Sequence, residues 1–264
     1  MISKSDIKLI RSLAIKKYRA KHGLFVAEGE KIISEMLQDE YNRTRYRIRS
    51  IFSTDDWEPP VQTQQTTFPQ IVHISDKELK QCSLLSTPNK VLAIVEIPVT
   101  PLNIDESGQG ITLVLDAIRD PGNLGTIIRT AHWFGVKNII CSDDSVDLYN
   151  PKTIQATMGS FMAVKVHYLN LAEYLGLVKA KKSGTIYGSY LEGENIYTTK
   201  TDSNAVIVLG NESAGIDNQL DPSIDKKIYI PSFSIADKPD SLNVAAAAAI
   251  ILFEFQRNSN SREL

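Results

Sequence analysis

The sequence predicts an α/β protein of two domains, and three features of it carry that prediction. Short apolar runs alternate with helically spaced segments along most of the chain, the pattern of strands separated by helices. The stretch from Ile111 to Val136 (ITLVLDAIRDPGNLGTIIRTAHWFGV), followed by a strand-like KNIIC, reads as a complete β-α-β unit. Between the two halves, Pro98 to Gly110 (PVTPLNIDESGQG) is rich in Pro, Gly and acidic residues and reads as a linker. The expected boundaries are a first domain over 1–98, a linker over 99–110 and a second domain over 111–264.

The elements of the first domain follow from local pattern. Residues 1–22 read as one basic helix, with Ile7, Ile10, Leu13, Ala14 and Ile15 on its apolar side and Lys16, Lys17, Arg19 and Lys21 around it, ended by Gly23. Leu24 to Ala27 is a short strand, and Glu28-Gly29 leads into a helix through Leu37. Arg43, Arg45, Arg47 and Arg49 alternate with Thr44, Tyr46, Ile48 and Ser50, which on a strand places four guanidiniums on one face. Four cations so placed repel one another unless an anion is expected there. A polar loop over Val61 to Gln70 precedes a strand at Ile71 to Ile74. Ser75 with Glu78 makes a capping box for the next helix, and Val91 to Ile97 is a further strand.

In the second domain, the β-branched run Ile111–Leu115 is a buried strand. Asn123 stands at the expected N-cap of a helix carrying Leu124, Ile127, Ile128 and Ala131 at helical spacing, with Gly135 at its C′ position. Asn150-Pro151 opens a helix that stops at Gly159. Strands are expected at Met162–Val166, Thr185–Leu191, Ala205–Leu209 and Lys227–Ile230, with a helix over Leu171–Lys182. Ser241 to Phe255 (SLNVAAAAAIILFEF) is apolar nearly all round, so its burial in the core or against a second subunit is expected.

Composition bounds the function. With 42% hydrophobic and 23% charged residues in 264, the chain has ample material for buried cores. No run approaches the roughly 20 apolar residues of a membrane helix, and MISKSDIKLI lacks the apolar core of a signal peptide, so the cytoplasm is expected. Cys82 and Cys141 have no metal-ligand or disulfide-framework spacing, and no metal is expected. The net charge of −2 hides an asymmetry: residues 1–50 carry 12 Lys+Arg against 6 Asp+Glu, the remainder 17 against 25. A basic module attached to an acidic one points to phosphate backbones as the partner of the first.

Three loops, Asp116–Asn123, Gly210–Gly215 and Pro231–Ser241, follow strands and would converge on one edge of a parallel sheet, where ligands bind in open α/β folds. Gly125 and Arg129 are four residues apart on one helix face, a glycine that admits a bulky substrate beside a guanidinium that reaches it; an exposed helix arginine is the plainer reading. GNESAG adds two glycines for close backbone approach and the carboxylate of Glu212. No G-x-G-x-x-G follows the first strand and no phosphate-cradling G-x-x-x-x-G-K-[ST] occurs, which excludes the usual dinucleotide and P-loop sites. His132 is the histidine nearest these loops, with a buried structural or interface role expected.

The order Asn123-x-Gly125-x3-Arg129-Thr130-Ala131, Gly210-Asn211-Glu212-x2-Gly215, and Ile230-Pro231 with Ser241-Leu242-Asn243-Val244 resembles the SpoU (TrmH-like) branch of the SPOUT methyltransferases, which methylate ribose 2′-hydroxyls of tRNA and rRNA. KKYRAKHGLFVAEGEKI (residues 16–32) resembles the small ribosomal-protein-like (L30e-like) substrate-binding domain that many members carry. The resemblance implies a trefoil-knotted C-terminal α/β domain, S-adenosyl-L-methionine as cofactor, and a homodimer formed through that domain. It implies cofactor contacts at Leu209, Gly210, Asn211, Gly215, Ile230 and Leu242, and a reaction site lined by Asn123, Arg129, Glu212, Ser241 and Asn243. It sets RNA against Lys16, Lys17, Arg19 and Lys21, ribosomal RNA being favoured over transfer RNA by family analogy. A non-catalytic RNA-binding protein is the alternative, and intact Asn123, Arg129 and Glu212 argue against it. The chain departs from the family where Ser232 replaces the usual Met after Ile-Pro, where the following loop is longer, and where Ala245 replaces a serine.

Overall fold

The computed structural model describes residues 1–60, 69–102, 110–234 and 240–260. Most of the loop expected at 61–70, most of the linker and the centre of the loop before Ser241 lie outside the described residues. The chain divides into two compact units, Met1–Val99 with Asp147–Met162, and Thr100–Val146 with Ala163–Leu264. The division is not linear: Asp147–Met162, which the sequence placed in the second domain, clusters with the first unit.

The first unit contains α1 (Lys4–Ser12), α2 (Lys16–His22), β1 (Leu24–Glu28), α3 (Glu30–Gln38), α4 (Glu40–Arg45), β2 (Ile48–Ser53), β3 (Ile71–His73), α5 (Asp76–Cys82), β4 (Val91–Glu96) and, from the returning segment, α7 (Pro151–Thr157). Its sheet runs β1-β4-β2-β3, antiparallel except for the β2–β3 pair. Every residue of β1 is buried, because the sheet is covered on both faces. Leu24 and Val26 point into a cluster with Ile10, Leu13, Leu79, Leu92 and Ile94. Phe25, on the opposite pleat, meets Tyr149 at 4.6 Å and Phe161 at 6.0 Å between ring centroids. The returning segment thus supplies half of the aromatic core on that face.

The second unit contains β5 (Ile111–Leu115), α6 (Pro121–Trp133), β6 (Asn138–Cys141), β7 (Lys165–Tyr168), α8 (Leu171–Lys181), β8 (Thr185–Asn195), β9 (Ala205–Leu209), β10 (Lys226–Tyr229) and α9 (Val244–Asn260). Its six strands lie in the order β10-β8-β9-β5-β6-β7, and every pair is parallel. Val114, Val206 and Val208 face α8 through Leu171, Tyr174, Leu175 and Val178. On the other face α6 and α9 pack together, and Phe255 of α9 meets Tyr187 of β8 edge-to-face at 4.9 Å. No helix among the described residues is long and apolar enough to cross a membrane.

The structure departs from the sequence expectation at several elements. The basic segment 1–22 is two helices, not one: Leu13 caps α1, and Ile15 is extended ahead of α2. The four-arginine strand does not form. Asp39 caps α4 by accepting from the Asn42 N–H at 2.8 Å, so Arg43 and Arg45 are helical, and the strand begins only at Ile48 with a register shift around Arg49. The strand expected at Met162–Val166 is a 3-10 turn at Ser160–Met162 followed by β7. The N-cap of α6 is Asp120 rather than Asn123, with Pro121 at N1 and the Asp120 carboxylate accepting from the Asn123 N–H at 2.8 Å. His132 is exposed, not buried. One face of α9 is buried through Val244, Ala245, Ala248, Ile251, Leu252 and Phe255, while Phe253 stays 53% exposed.

Candidate active site

The carboxyl ends of β5, β9 and β10 stand at the same edge because the three strands are parallel members of one sheet. The loops that leave them are cross-tied. The Asp116 N–H, just past β5, donates to the Leu209 carbonyl at 2.9 Å, and the Asp116 carboxylate accepts the Asp217 N–H at 2.7 Å. The Asn211 amide donates to the Ala117 carbonyl at 2.9 Å while its oxygen accepts from Ser213 and Ala214 N–H groups. Ala117 itself is left-handed, φ 53°, held by Ser142 Oγ accepting its N–H at 2.8 Å. Ser145 Oγ accepts the next N–H, from Ile118, at 3.1 Å.

The loop Gly210–Gly215 is closed on itself. Asn211 and Gly215 exchange both backbone hydrogen bonds, at 3.0 and 2.8 Å. A Cβ on Gly210 would lie 2.1 Å from the Gly215 carbonyl carbon, so the glycine is required by the turn itself, not only by an approaching ligand. Gly215 has φ 73°. None of the loop hydrogen bonds among the described residues uses the backbone groups of Gly210, Ile230 or Leu242. The backbone groups of half-buried Gly210 and Ile230 and of exposed Leu242, without a hydrogen-bond partner among the described residues, are donors and acceptors a polar ligand fits.

Three side chains from the three loops meet. Asn123, in the first turn of α6, donates its amide N–H to Glu212 Oε1 at 2.5 Å. Its amide oxygen accepts from the Asn243 side chain at 2.9 Å. Asn243 in turn caps α9, its oxygen accepting the Ala245 and Ala246 N–H groups at 2.9 and 3.3 Å. Glu212–Asn123–Asn243 is therefore a continuous relay in which a carboxylate fixes the orientation of two amides.

The other expected site residues fall outside this relay. Arg129 lies on α6 beyond Asn123, exposed, and makes no ion pair among the described residues. Gly125 is buried, while Arg129, four residues on along the same side of α6, is exposed. Ser241 is exposed and joins none of these bonds among the described residues, and Leu242 is 46% exposed. Leu209 is buried as the last residue of β9, and Ile230 is half-buried just past β10.

Sequence reasoning missed the braces Asp116, Ser142, Ser145 and Asp217. The available signal was Asp116 directly at the carboxyl end of β5, and burial pushes its carboxyl above the ordinary carboxylate value of 3.8. The basic cluster of the first unit also needs correcting. Arg19 is buried, with Nη1 donating to the Leu13 carbonyl at 2.7 Å and Nε and Nη2 both reaching Asp147 Oδ2, at 2.8 and 2.6 Å. Its guanidinium is buried and committed to Asp147 and Leu13, which does not fit the expected contact with RNA; Lys16, Lys17 and Lys21 remain on the surface.

Comparison with known proteins converges on one family. A model described as the SpoU rRNA Methylase family matches residues 110–253, and one described as an MRM3-like substrate binding domain matches residues 4–93. The chain is 30% identical over 247 residues to a Bacillus subtilis protein, 23S rRNA (guanosine(2553)-2′-O)-methyltransferase RlmP, covering 93% of this chain and 94% of the relative. A TrmH-family protein from Porphyromonas gingivalis has a structure similar at TM-score 0.85 and 33% identity, over 97% of this chain and 99% of that one. The AdoMet-bound rRNA methyltransferase of Sinorhizobium meliloti is similar at TM-score 0.82 and 29% identity, over 97% of each chain.

Proposed function

The chain belongs to the SpoU rRNA methylase family, and from that premise we propose that it methylates ribose 2′-hydroxyls of ribosomal RNA with S-adenosylmethionine. The observation that carries this reading is the Glu212–Asn123–Asn243 relay. It locks three loops at the sheet edge where the family's cofactor and substrate meet. S-adenosylmethionine, when bound, supplies an activated methyl on its sulfonium; every other contribution comes from the chain.

Gly210, Ile230 and Leu242 offer backbone groups to the cofactor, and Leu209, Asn211 and Gly215 shape the turn beneath it. Asn123, held at both ends of its amide, fixes the entrance of α6. Arg129 clamps an RNA phosphate and stabilises the oxygen that loses its proton, since an arginine is effectively never deprotonated. Holding the hydroxyl in line with the methyl contributes up to roughly 7–11 kcal/mol in favourable cases. Ser241 lies beside the loop that meets Asn243. Lys16, Lys17 and Lys21 of the first unit, which corresponds to the family's substrate-binding domain, engage the phosphate backbone.

The same reading includes a knotted C-terminus, a homodimer and residence in the cytoplasm. In support of the knot, the chain leaves β10 at the edge of the sheet, yet Asn243 at the start of α9 bonds to Asn123 of α6 in its middle. In support of the homodimer, Trp133 of α6 is 85% exposed and Phe253 of α9 53% exposed. The helices that carry them are joined by the Gln256 side chain donating to the Phe134 carbonyl at 2.7 Å.

Methyl transfer from labelled S-adenosylmethionine to unmodified total RNA, followed by digestion to nucleosides, tests the proposal. Wild type should yield a labelled 2′-O-methylnucleoside. Arg129→Ala should lose transfer by roughly a hundredfold or more while cofactor affinity stays nearly intact. Absence of cofactor binding by the wild type would overturn the enzyme reading.

A further inference from the structure

We propose that Tyr197 and Phe233 form a stacking platform for an unpaired RNA base beside the methyl-transfer edge. The inference rests on the function proposed above. Phe233 sits three residues past Ile230, in the stretch where this chain departs from its family, and it is 84% exposed. Its ring lies within 20° of parallel to that of Tyr197, with centroids 6.4 Å apart. Tyr197 is itself 38% exposed. Leaving so large an apolar ring in water is unfavourable, and here two such rings are aligned.

The platform is anchored on one side. Asn195 ends β8 and pairs with Tyr229 of β10, and the Ile196 N–H donates to the Tyr229 carbonyl at 3.0 Å. The Asn195 side chain accepts the Tyr197 N–H at 2.9 Å, and its carbonyl accepts from Thr198 and Thr199. With Ile196 fully buried beneath it, Tyr197 is presented from a fixed turn at the carboxyl end of β10. That is the strand end from which Ile230 offers its backbone. Parallel aromatic faces at the border of an RNA site match unstacked bases, because every base has a π-face and stacking needs no particular hydrogen-bond pattern. Sequence-specific recognition of RNA mostly targets loops and bulges, where a nucleotide is out of its helix, and such a nucleotide, or its neighbour, leaves a base to be stacked.

The test compares wild type, Phe233→Ala, Phe233→Trp and Tyr197→Ala as full-length proteins. The readouts are affinity for an unmethylated in vitro 23S rRNA transcript, affinity for S-adenosylmethionine, and mass in solution. Phe233→Ala and Tyr197→Ala should each weaken RNA binding roughly 5- to 150-fold. Cofactor affinity and mass should stay unchanged, and Phe233→Trp should restore RNA binding. Unchanged RNA affinity in Phe233→Ala overturns the platform. So does a matching loss of cofactor affinity, which would assign the ring to the cofactor, or a fall in mass, which would assign it to a subunit contact. Transfer by the wild type is scored separately: its absence would count against the methyltransferase reading, while RNA affinity alone judges the platform.

Discussion

Asn123 has both ends of its amide committed, one to Glu212 and one to Asn243, so its rotamer is set by three loops at once. Asp116 is the second residue on which the site depends, and its role is separable from catalysis. Burial raises its carboxyl above 3.8, with the Asp217 and Asp144 charges adding to the shift against the Asp217 N–H bond. A raised carboxyl stabilises the fold only while protonated. That contribution is complete below the ordinary value and is lost as pH rises through the folded value, so at neutral pH the wild type carries the cost of a buried charge. Asp116→Asn keeps an acceptor for the Asp217 N–H. It should melt a few degrees higher than wild type at neutral pH, with the difference closing as pH falls towards 4, and keep methyl transfer within about twofold, as expected of a brace outside the chemistry. Thermal melts across pH, with activity at one pH, check this. Loss of transfer would make Asp116 a participant. The sequence showed Asn123, Glu212 and Asn243 through their motifs, but nothing in it showed that they bond to one another. The residues are separated by 89 and 120 positions, and only the parallel order of the strands joins them.

Among the elements, the loop Gly210–Gly215 makes the sharpest demand. Gly210→Ala would place a methyl 2.1 Å from the Gly215 carbonyl carbon, which no side-chain rearrangement relieves. The turn must open, at a cost of roughly 2–4 kcal/mol, and with it the edge where we propose that the cofactor binds. Cofactor affinity should fall at least tenfold in calorimetric titration, while Gly176→Ala, a position with open space around it, should leave affinity unchanged. Elements were legible where burial and local punctuation agree. Ile111–Leu115 and Ala205–Leu209 are β-branched runs bounded by turns and were placed to the residue. Ser75 with Glu78 formed its capping box. Alternating arginines misled because alternation of charge is not alternation of burial: Asp39 as a cap outweighed it, and residues 40–45 became helical. The start of α6 was misplaced by the same kind of competition, between Asn123 and the stronger pair Asp120-Pro121.

At the scale of the whole molecule, the charge asymmetry was visible in the sequence, but the division of labour within it was not. Arg19 belongs to the basic cluster by composition, and to the core by a partner 128 residues away. Removing one member of a buried pair leaves the other uncompensated, so Arg19→Ala should cost about 3–5 kcal/mol and lower the melting temperature by on the order of 10 °C. It should leave the salt dependence of RNA binding as in wild type, whereas Lys17→Ala should flatten it by roughly one unit of slope. Thermal melts and salt titrations of both variants decide between the two roles. The returning segment also sets the order of events during synthesis. The first unit is complete only when Asp147–Met162 has joined Met1–Val99. Although it lies at the amino end, it cannot close its aromatic core until β5, α6 and β6 have left the ribosome. A nascent chain stalled before Tyr149 should therefore hold Phe25 and Tyr46 uncovered, a window in which chaperones and proteases can still act on it.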